Sequence, residues 1–348
     1  MASLQTSAFF CVPEAELALE KRFAYALVCM VCSVLGAFGA AHQIRTWRPL
    51  VGGFQICRKQ SPNPRIILQI AIVDLFTAVG IFVRGLCMVI TSTPNYDMDR
   101  SAWVPLNGDM AAITIATTVE ATCQYCIGVS FTWTVLHAFD TYSQINHKAG
   151  IYSWKLCVGA WMLPALSTSA SFIAYLGFPG YPTTCPSGWV VALRYALAYS
   201  MLPMALLANP VIYCITANIM ERQLKETGLI SYHHHNFLTA FKLKYVVIVV
   251  VFSLCWMPNV MDAILHMVVQ GSTTKLTAKS MFFPIWILEA ILNPLQGLIN
   301  CAMYGHHLLL KIQIASNESI SNGDPGFSSE DLPSEQTPIL IRPHGYGS

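Results

Sequence analysis

The chain has 348 residues, of which 54% are hydrophobic and 11% charged, against about 25% charged in an average soluble domain. Those proportions exclude a soluble globular fold and predict an all-α membrane protein. The formal net charge of +2 comes with no long basic run, so no nucleic-acid partner is expected.

Residues 1–22 carry Glu14, Glu16 and Glu20 and lack the basic stretch and cleavage site of a signal peptide. They read as an extracellular or lumenal N-terminal segment, and the first span should be retained. Seven apolar runs follow between residues 23 and 303, each near or above the ~20 residues a bilayer requires. The first runs from about Phe23 to Ile44, and Gly36 and Ala40 form a small-xxx-small pair that invites close helix approach. The second, Ile66 to about Ile90, holds Asp74 and Arg84. Ten residues apart, they are separated by about 15 Å along a helix and cannot pair directly.

The third run, about Ala111 to Phe139, is the most polar. Positions 113, 117, 120, 124, 127 and 131 share one helical face, which groups Thr117, Glu120 and Gln124 and must look inward. The fourth runs from about Trp154 to Tyr175 with Pro164, and a Gly/Pro loop with Cys185 follows it. The fifth, about Val190 to Ala217, contains Pro203 and Asn209-Pro210. A polar connection with Glu221, Arg222, Lys225, Glu226, His233 to His235, Lys242 and Lys244 is expected next. The sixth, Val246 to Val269, contains Cys255-Trp256-Met257-Pro258-Asn259 and Asp262. The seventh, about Met281 to Met303, contains Pro284, Glu289 and Asn293-Pro294.

Residues 304–315 have apolar positions at 308, 309, 312 and 315 and are expected to lie on membrane lipid as a juxtamembrane amphipathic helix. Residues 316–348, rich in Ser, Pro, Gly and acids, are expected to be a disordered cytosolic tail. The fold class is therefore a seven-transmembrane-helix bundle with a short juxtamembrane helix and a disordered tail. Eleven basic residues fall in the loops after spans one, three and five, and six at the N-terminus and in the opposite loops. This asymmetry places the N-terminus outside and the tail in the cytosol.

Ionisable groups inside a span cost about 2.5 to 3.5 kcal/mol each on insertion scales. Asp74, Arg84, Glu120, Asp262 and Glu289 are thus functional candidates, to be weighed against structural pairing within the bundle. Arg84, Glu120, Gln124 and Asp262 are expected to face a ligand in the outer half. Asp74 and Asn293-Pro294 are expected to form a buried polar core. Pro258 should kink the sixth span and give it a pivot.

His137 and His266 fall at opposite membrane ends and cannot share a metal. Cys123 and Cys126 form a lone C-x-x-C in mid-span and read as small apolar packers. No metal or cofactor is expected, and the chain does not read as an enzyme. Retinal chemistry would need a lysine in the middle of span seven, whereas Lys279 precedes that span. In the tail, Glu335 followed by Ile339 and Leu340 is an acidic-dileucine pattern of the kind a clathrin adaptor captures. Ser328, Ser329 and Ser334 could tune it through phosphorylation.

Seven spans with an outside N-terminus resemble a G-protein-coupled receptor. Cys255-Trp256-Met257-Pro258 is similar to its CWxP motif, Asp74 to its sodium-site aspartate, and Asn293-Pro294 to the start of NPxxY. Asp140-Thr141-Tyr142 lacks the arginine of DRY, and Asn293 to Gly297 lacks the tyrosine. These departures resemble a narrower group, the ocular albinism type 1 receptor family. Further resembling stretches are Phe131-Thr132-Trp133, Ala138 to Tyr142, Leu207 to Ile212, and Ile291 to Gly297.

The resemblance implies a receptor for a small aromatic amino acid or catechol such as tyrosine, L-DOPA or dopamine, signalling through heterotrimeric G proteins. It implies endolysosomal or melanosome membranes with a plasma-membrane pool, and arrestin as a further partner. It also implies that Trp256, Pro258, Asn259, Asn293 and Pro294 form the conformational switch, and that Asp140 and Tyr142 lie on the G-protein side. A cysteine near Ala116, expected in the wider class to bridge Cys185, is missing; Cys11 and Cys87 are alternative partners. The competing reading is a transporter of a small polar solute, which would also place charges and broken helices in the membrane.

Overall fold

The computed structural model describes residues 19–52, 63–91, 110–146, 154–176, 193, 196–226, 232–271 and 275–304. Among the described residues every regular element is an α-helix. In chain order they are α1 (Leu19–Gly52), α2 (Pro64–Thr91), α3 (Met110–Ile145), α4 (Trp154–Leu176), α5 (Met201–Glu226), α6 (Tyr232–Gly271) and α7 (Lys275–Tyr304). All seven expected spans are helices. Six are long and apolar enough to cross a membrane by the described residues alone, and the exception is α3.

Several helices run past the apolar limits. A helical turn over 196–199 precedes α5, which then continues to Glu226, and α6 starts at Tyr232. Glu221, Arg222, Lys225, Glu226, Lys242, Lys244 and His233 to His235 therefore lie in helices. The expected loop for these residues was too long. No Gly or Pro interrupts Val211 to Glu226 or Tyr232 to Met257, so each helix propagates beyond the hydrocarbon. The i,i+4 pairs Glu221–Lys225 at 2.8 Å and Arg222–Glu226 at 2.7 Å support the last turns of α5. Likewise α7 begins at Lys275, so Lys279 sits in its opening turns.

α3 touches α2, α4 and α5, while α1 packs on α2 and α7, and α6 packs on α5 and α7. Gly36 and Gly39 make the α1–α7 contact possible. A Cβ at Gly36 would overlap the Pro294 carbonyl oxygen, and one at Gly39 would overlap the Leu298 backbone. Large apolar side chains on the far faces, such as Val31, Val34 and Phe38 of α1 and Leu207 of α5, remain exposed, as lipid-facing positions do.

Among the apolar clusters of the described core, two mark the opposite ends of the bundle. One joins Tyr25, Ile81, Met88, Cys123, Leu202, Trp256 and Trp286. The other joins Trp47, Ile67, Ala138, Tyr213, Tyr245, Ile248 and Tyr304. The first draws on the beginnings of α1, α3, α5 and α7 and the end of α2. The second draws on the opposite ends, so the helices alternate up and down. The second cluster marks the inner end, the one the basic residues predict to face the cytosol.

Candidate functional site

α2 buries a stripe through Ile67, Ile70, Asp74, Thr77, Ile81, Arg84 and Met88, while Phe76, Val79, Val83 and Ile90 stay exposed. Helical periodicity thus turns Arg84 inward despite its charge. It is only 2% exposed, and Glu120, Asp262 and Glu289 are 1%, 0% and 1% exposed. Arg84 and Glu120 are close enough to interact electrostatically. Gln124, one turn inward on α3, is also buried.

Four helices supply these groups, and α1 adds a fifth wall. The Arg84 guanidinium carbon lies 6.0 Å from the centre of the Tyr25 ring, a cation–π distance. Trp286 Nε1 donates to Asp262 Oδ1 at 3.0 Å, tying α7 to α6. Nε and Nη2 of Arg84 are buried and meet no hydrogen-bond partner among the described residues. These two donors lie on one edge of the guanidinium, the edge that takes a carboxylate in fork geometry.

Beneath this group, Trp256 is 2% exposed and meets Phe131 edge to face at 4.5 Å, while Phe131 meets Phe252 in the same way at 5.9 Å. Two residues on, Pro258 cannot donate to the Leu254 carbonyl, and on α7 Pro294 leaves the Ala290 carbonyl without its donor. Between the two breaks, Asn259 and Asn293 bond reciprocally at 2.9 and 3.2 Å.

Asp74 forms a separate node. Ser130 donates to Oδ1 at 3.1 Å and Asn300 to Oδ2 at 2.6 Å, while Gln296 donates to the Ser130 hydroxyl at 2.9 Å. The structure therefore divides the expected polar core in two: Asn293 pairs with Asn259, and Asp74 takes its partners from Ser130 and Asn300.

At the inner end Asp140 is buried and accepts from Gln144 of its own helix. Tyr142 lies against Phe139 at 5.9 Å and faces Asn146 at 3.5 Å. Among the described residues no group of three or more His, Cys, Asp or Glu could hold a metal. Cys11, Cys185, His266's side chain, residues 305–348 and hence Glu335, Ile339 and Leu340 lie outside what is described.

The sequence reading missed Tyr25, Ser130, Trp286, Gln296 and Asn300 as members of these sites. One signal was available. Glu289, Asn293, Gln296, Asn300 and Tyr304 recur at spacings of four, three, four and four, a polar stripe down one face of α7. Tyr25 and Trp286 carried none, because aromatic residues in apolar runs ordinarily only pack.

The sequence model of one family, described as Ocular albinism type 1 protein, matches residues 1–323. The human protein "G-protein coupled receptor 143" is 26% identical over 259 residues, which cover 69% of this chain. The matched stretch spans 60% of the length of that curated relative.

Proposed function

Since the chain belongs to the ocular albinism type 1 protein family, we propose that it is a seven-helix G-protein-coupled receptor for a small aromatic amino acid or catechol. The observation that carries this reading is the unmet edge of Arg84, buried within electrostatic reach of Glu120 and beside the Tyr25 ring. A zwitterionic ligand satisfies both sides of that arrangement: its carboxylate takes the Arg84 edge, and its ammonium faces Glu120 or Asp262. Tyr25 lies against the same guanidinium, and Gln124 is buried one turn inward of Glu120. Tyrosine, L-DOPA and dopamine are the ligands of choice, and the curated relative's printed name supports the coupling to heterotrimeric G proteins.

Binding works on a pre-existing equilibrium and shifts it only by differential affinity for the two states. The contact runs from the outer group through Trp256 to the break at Pro258, with Asn259, Asn293 and Pro294 as the paired hinge. The inner end, with Asp140 and Tyr142, then opens toward a G protein and later an arrestin. The polar node at Asp74 keeps α2, α3 and α7 in register meanwhile.

A G-protein activation assay with tyrosine, L-DOPA and dopamine on wild type and Arg84→Ala tests the reading. At least one ligand should activate the wild type, and the variant should lose the response to the amino acids. Silence of the wild type toward all three would remove the ligand assignment. Residence in endolysosomal or melanosome membranes is part of the proposal, with Glu335, Ile339 and Leu340 as the adaptor signal. Leu340→Ala should raise the plasma-membrane pool, and unchanged localisation refutes that signal.

A further inference from the structure

The seam between α1 and α7 carries a pair of residues that neither the ligand site nor the hinge uses. Cys301 Sγ of α7 lies 3.5 Å from His42 Nδ1 of α1, on a flank of the bundle where His42 is exposed and Cys301 partly so. The two backbones converge just outward of the pair. A Cβ at Gly39 would overlap the Leu298 backbone, and His42 and Cys301 each follow that contact by three residues. The apolar spans of the two helices end at Arg48 and Tyr304, so at 1.5 Å per residue the pair lies within about 10 Å of the inner membrane boundary.

We propose that Cys301 is an S-acylation site that the protein loads itself, with His42 as general base and a long-chain acyl thioester on a phosphate-bearing carrier as the acyl donor. Three zones in line match the three parts of such a donor. Outward of the pair, Leu35 and Phe38 of α1 and Leu298 of α7 are 47%, 71% and 38% exposed, an apolar track for the chain. At the pair, the thiol and the imidazole meet the thioester carbonyl. Inward, Arg45 and Arg48 lie one and two turns beyond His42, are exposed, and offer guanidinium groups to phosphates. Packing against lipid alone would be served by apolar side chains, as at Phe38 and Leu298; a polar pair at this depth marks a function.

The step balances without an oxidant or a reductant. His42 Nδ1 takes the proton of the Cys301 thiol, and the thiolate adds to the carbonyl carbon of the donor. The tetrahedral intermediate collapses with cleavage of the bond to the carrier sulfur, which leaves as a thiolate and recovers the proton from the imidazolium. The products are a thioester on Cys301, with its chain along α1 and α7 in the inner leaflet, and a free carrier thiol. Cys214 of α5 is also an exposed free thiol, but it meets no imidazole among the described residues. It serves as the internal reference.

The test uses the full chain in lipid nanodiscs with palmitoyl-coenzyme A as the probe, read by hydroxylamine-sensitive labelling and peptide mass spectrometry. The wild type should acquire a thioester at Cys301, Cys301→Ser should not, and Cys214→Ser should load as the wild type does. His42→Gln, a change at an exposed position, should slow loading about 100-fold, the scale of general-base assistance. Arg45→Gln should raise the donor concentration for half-maximal rate about tenfold, the scale of a charge-assisted hydrogen bond. With the palmitoyl thioester of N-acetylcysteamine, which has no phosphate, Arg45→Gln should have no effect. An unloaded wild type, loading of Cys214 as fast as Cys301, or an unchanged rate in His42→Gln overturns the site. Equal effects of Arg45→Gln on the two donors overturn the phosphate contact.

Discussion

Asn259 of α6 and Asn293 of α7 exchange two hydrogen bonds, each Nδ2 donating to the other's Oδ1, at 2.9 and 3.2 Å. Each asparagine is adjacent to a proline that breaks its own helix, so the amide pair clamps two weak points face to face. Asn259→Ala strands both polar atoms of Asn293 in the core and should cost about 1 to 3 kcal/mol. The double variant with Asn293→Ala should lose less than the sum of the singles. Thermal unfolding of the purified variants reads both effects, and strict additivity would sink the clamp.

Gly36 separates packing from helix propensity. Its replacement by Ala puts a methyl group into the Pro294 carbonyl oxygen, and backbone rather than a flexible side chain must move. Gly36→Ala should therefore destabilise the bundle by about 1 to 3 kcal/mol, as overpacking does. Gly159 of α4 has nothing within 4 Å of its would-be Cβ. Gly159→Ala should raise stability by about 0.5 to 1 kcal/mol through helix propensity alone. A common sign for the two substitutions would contradict the α1–α7 geometry.

The Asp74 node makes a finer distinction. Asp74→Ala removes the acceptor for both the Ser130 hydroxyl and the Asn300 amide, leaving two buried donors and costing about 1 to 3 kcal/mol. Ser130→Ala should cost less, because Asn300 still reaches Asp74 Oδ2, although Gln296 loses its acceptor and Asp74 Oδ1 its donor. Thermal melts in matched detergent give the order, and a larger loss for Ser130→Ala would overturn this assignment of partners.

Arg84→Lys keeps a charge but replaces a planar two-donor edge with a single ammonium. The response to L-DOPA, which carries a carboxylate, should weaken by about tenfold or more, the scale of a charge-assisted hydrogen bond. Dopamine, which has none, should be nearly unaffected. Equal shifts for the two agonists would show that the Arg84 edge does not receive the carboxylate.

Helix number and order were legible because a membrane helix is specified by a long apolar run, and all seven runs are uninterrupted by more than an isolated charge. Helix ends were less legible. Lys242, Lys244 and His233 to His235 are polar, so hydropathy assigns them to a loop, whereas the backbone needs only an absence of breakers to continue. Periodicity also turned Glu120 and Gln124 inward correctly. Partner choice was out of reach: Asp74 to Asn300 and Trp286 to Asp262 join residues 226 and 24 positions apart, and only the packing of α7 decides which polar side chain meets which.

α3 has a consequence for biosynthesis. It is the one helix without a membrane-length apolar window among the described residues, and it carries the buried Glu120. Yet it touches α2, α4 and α5, so its finished environment is protein rather than lipid. A nascent α3 leaving the insertion machinery alone would face the lipid with an unfavourable side chain. Its commitment to the bilayer is therefore coupled to α2, whose Arg84 is already made, and to α4 and α5, which are not. Substitutions that loosen those contacts should act first on yield and retention in the endoplasmic reticulum, before any effect on the mature protein is measurable.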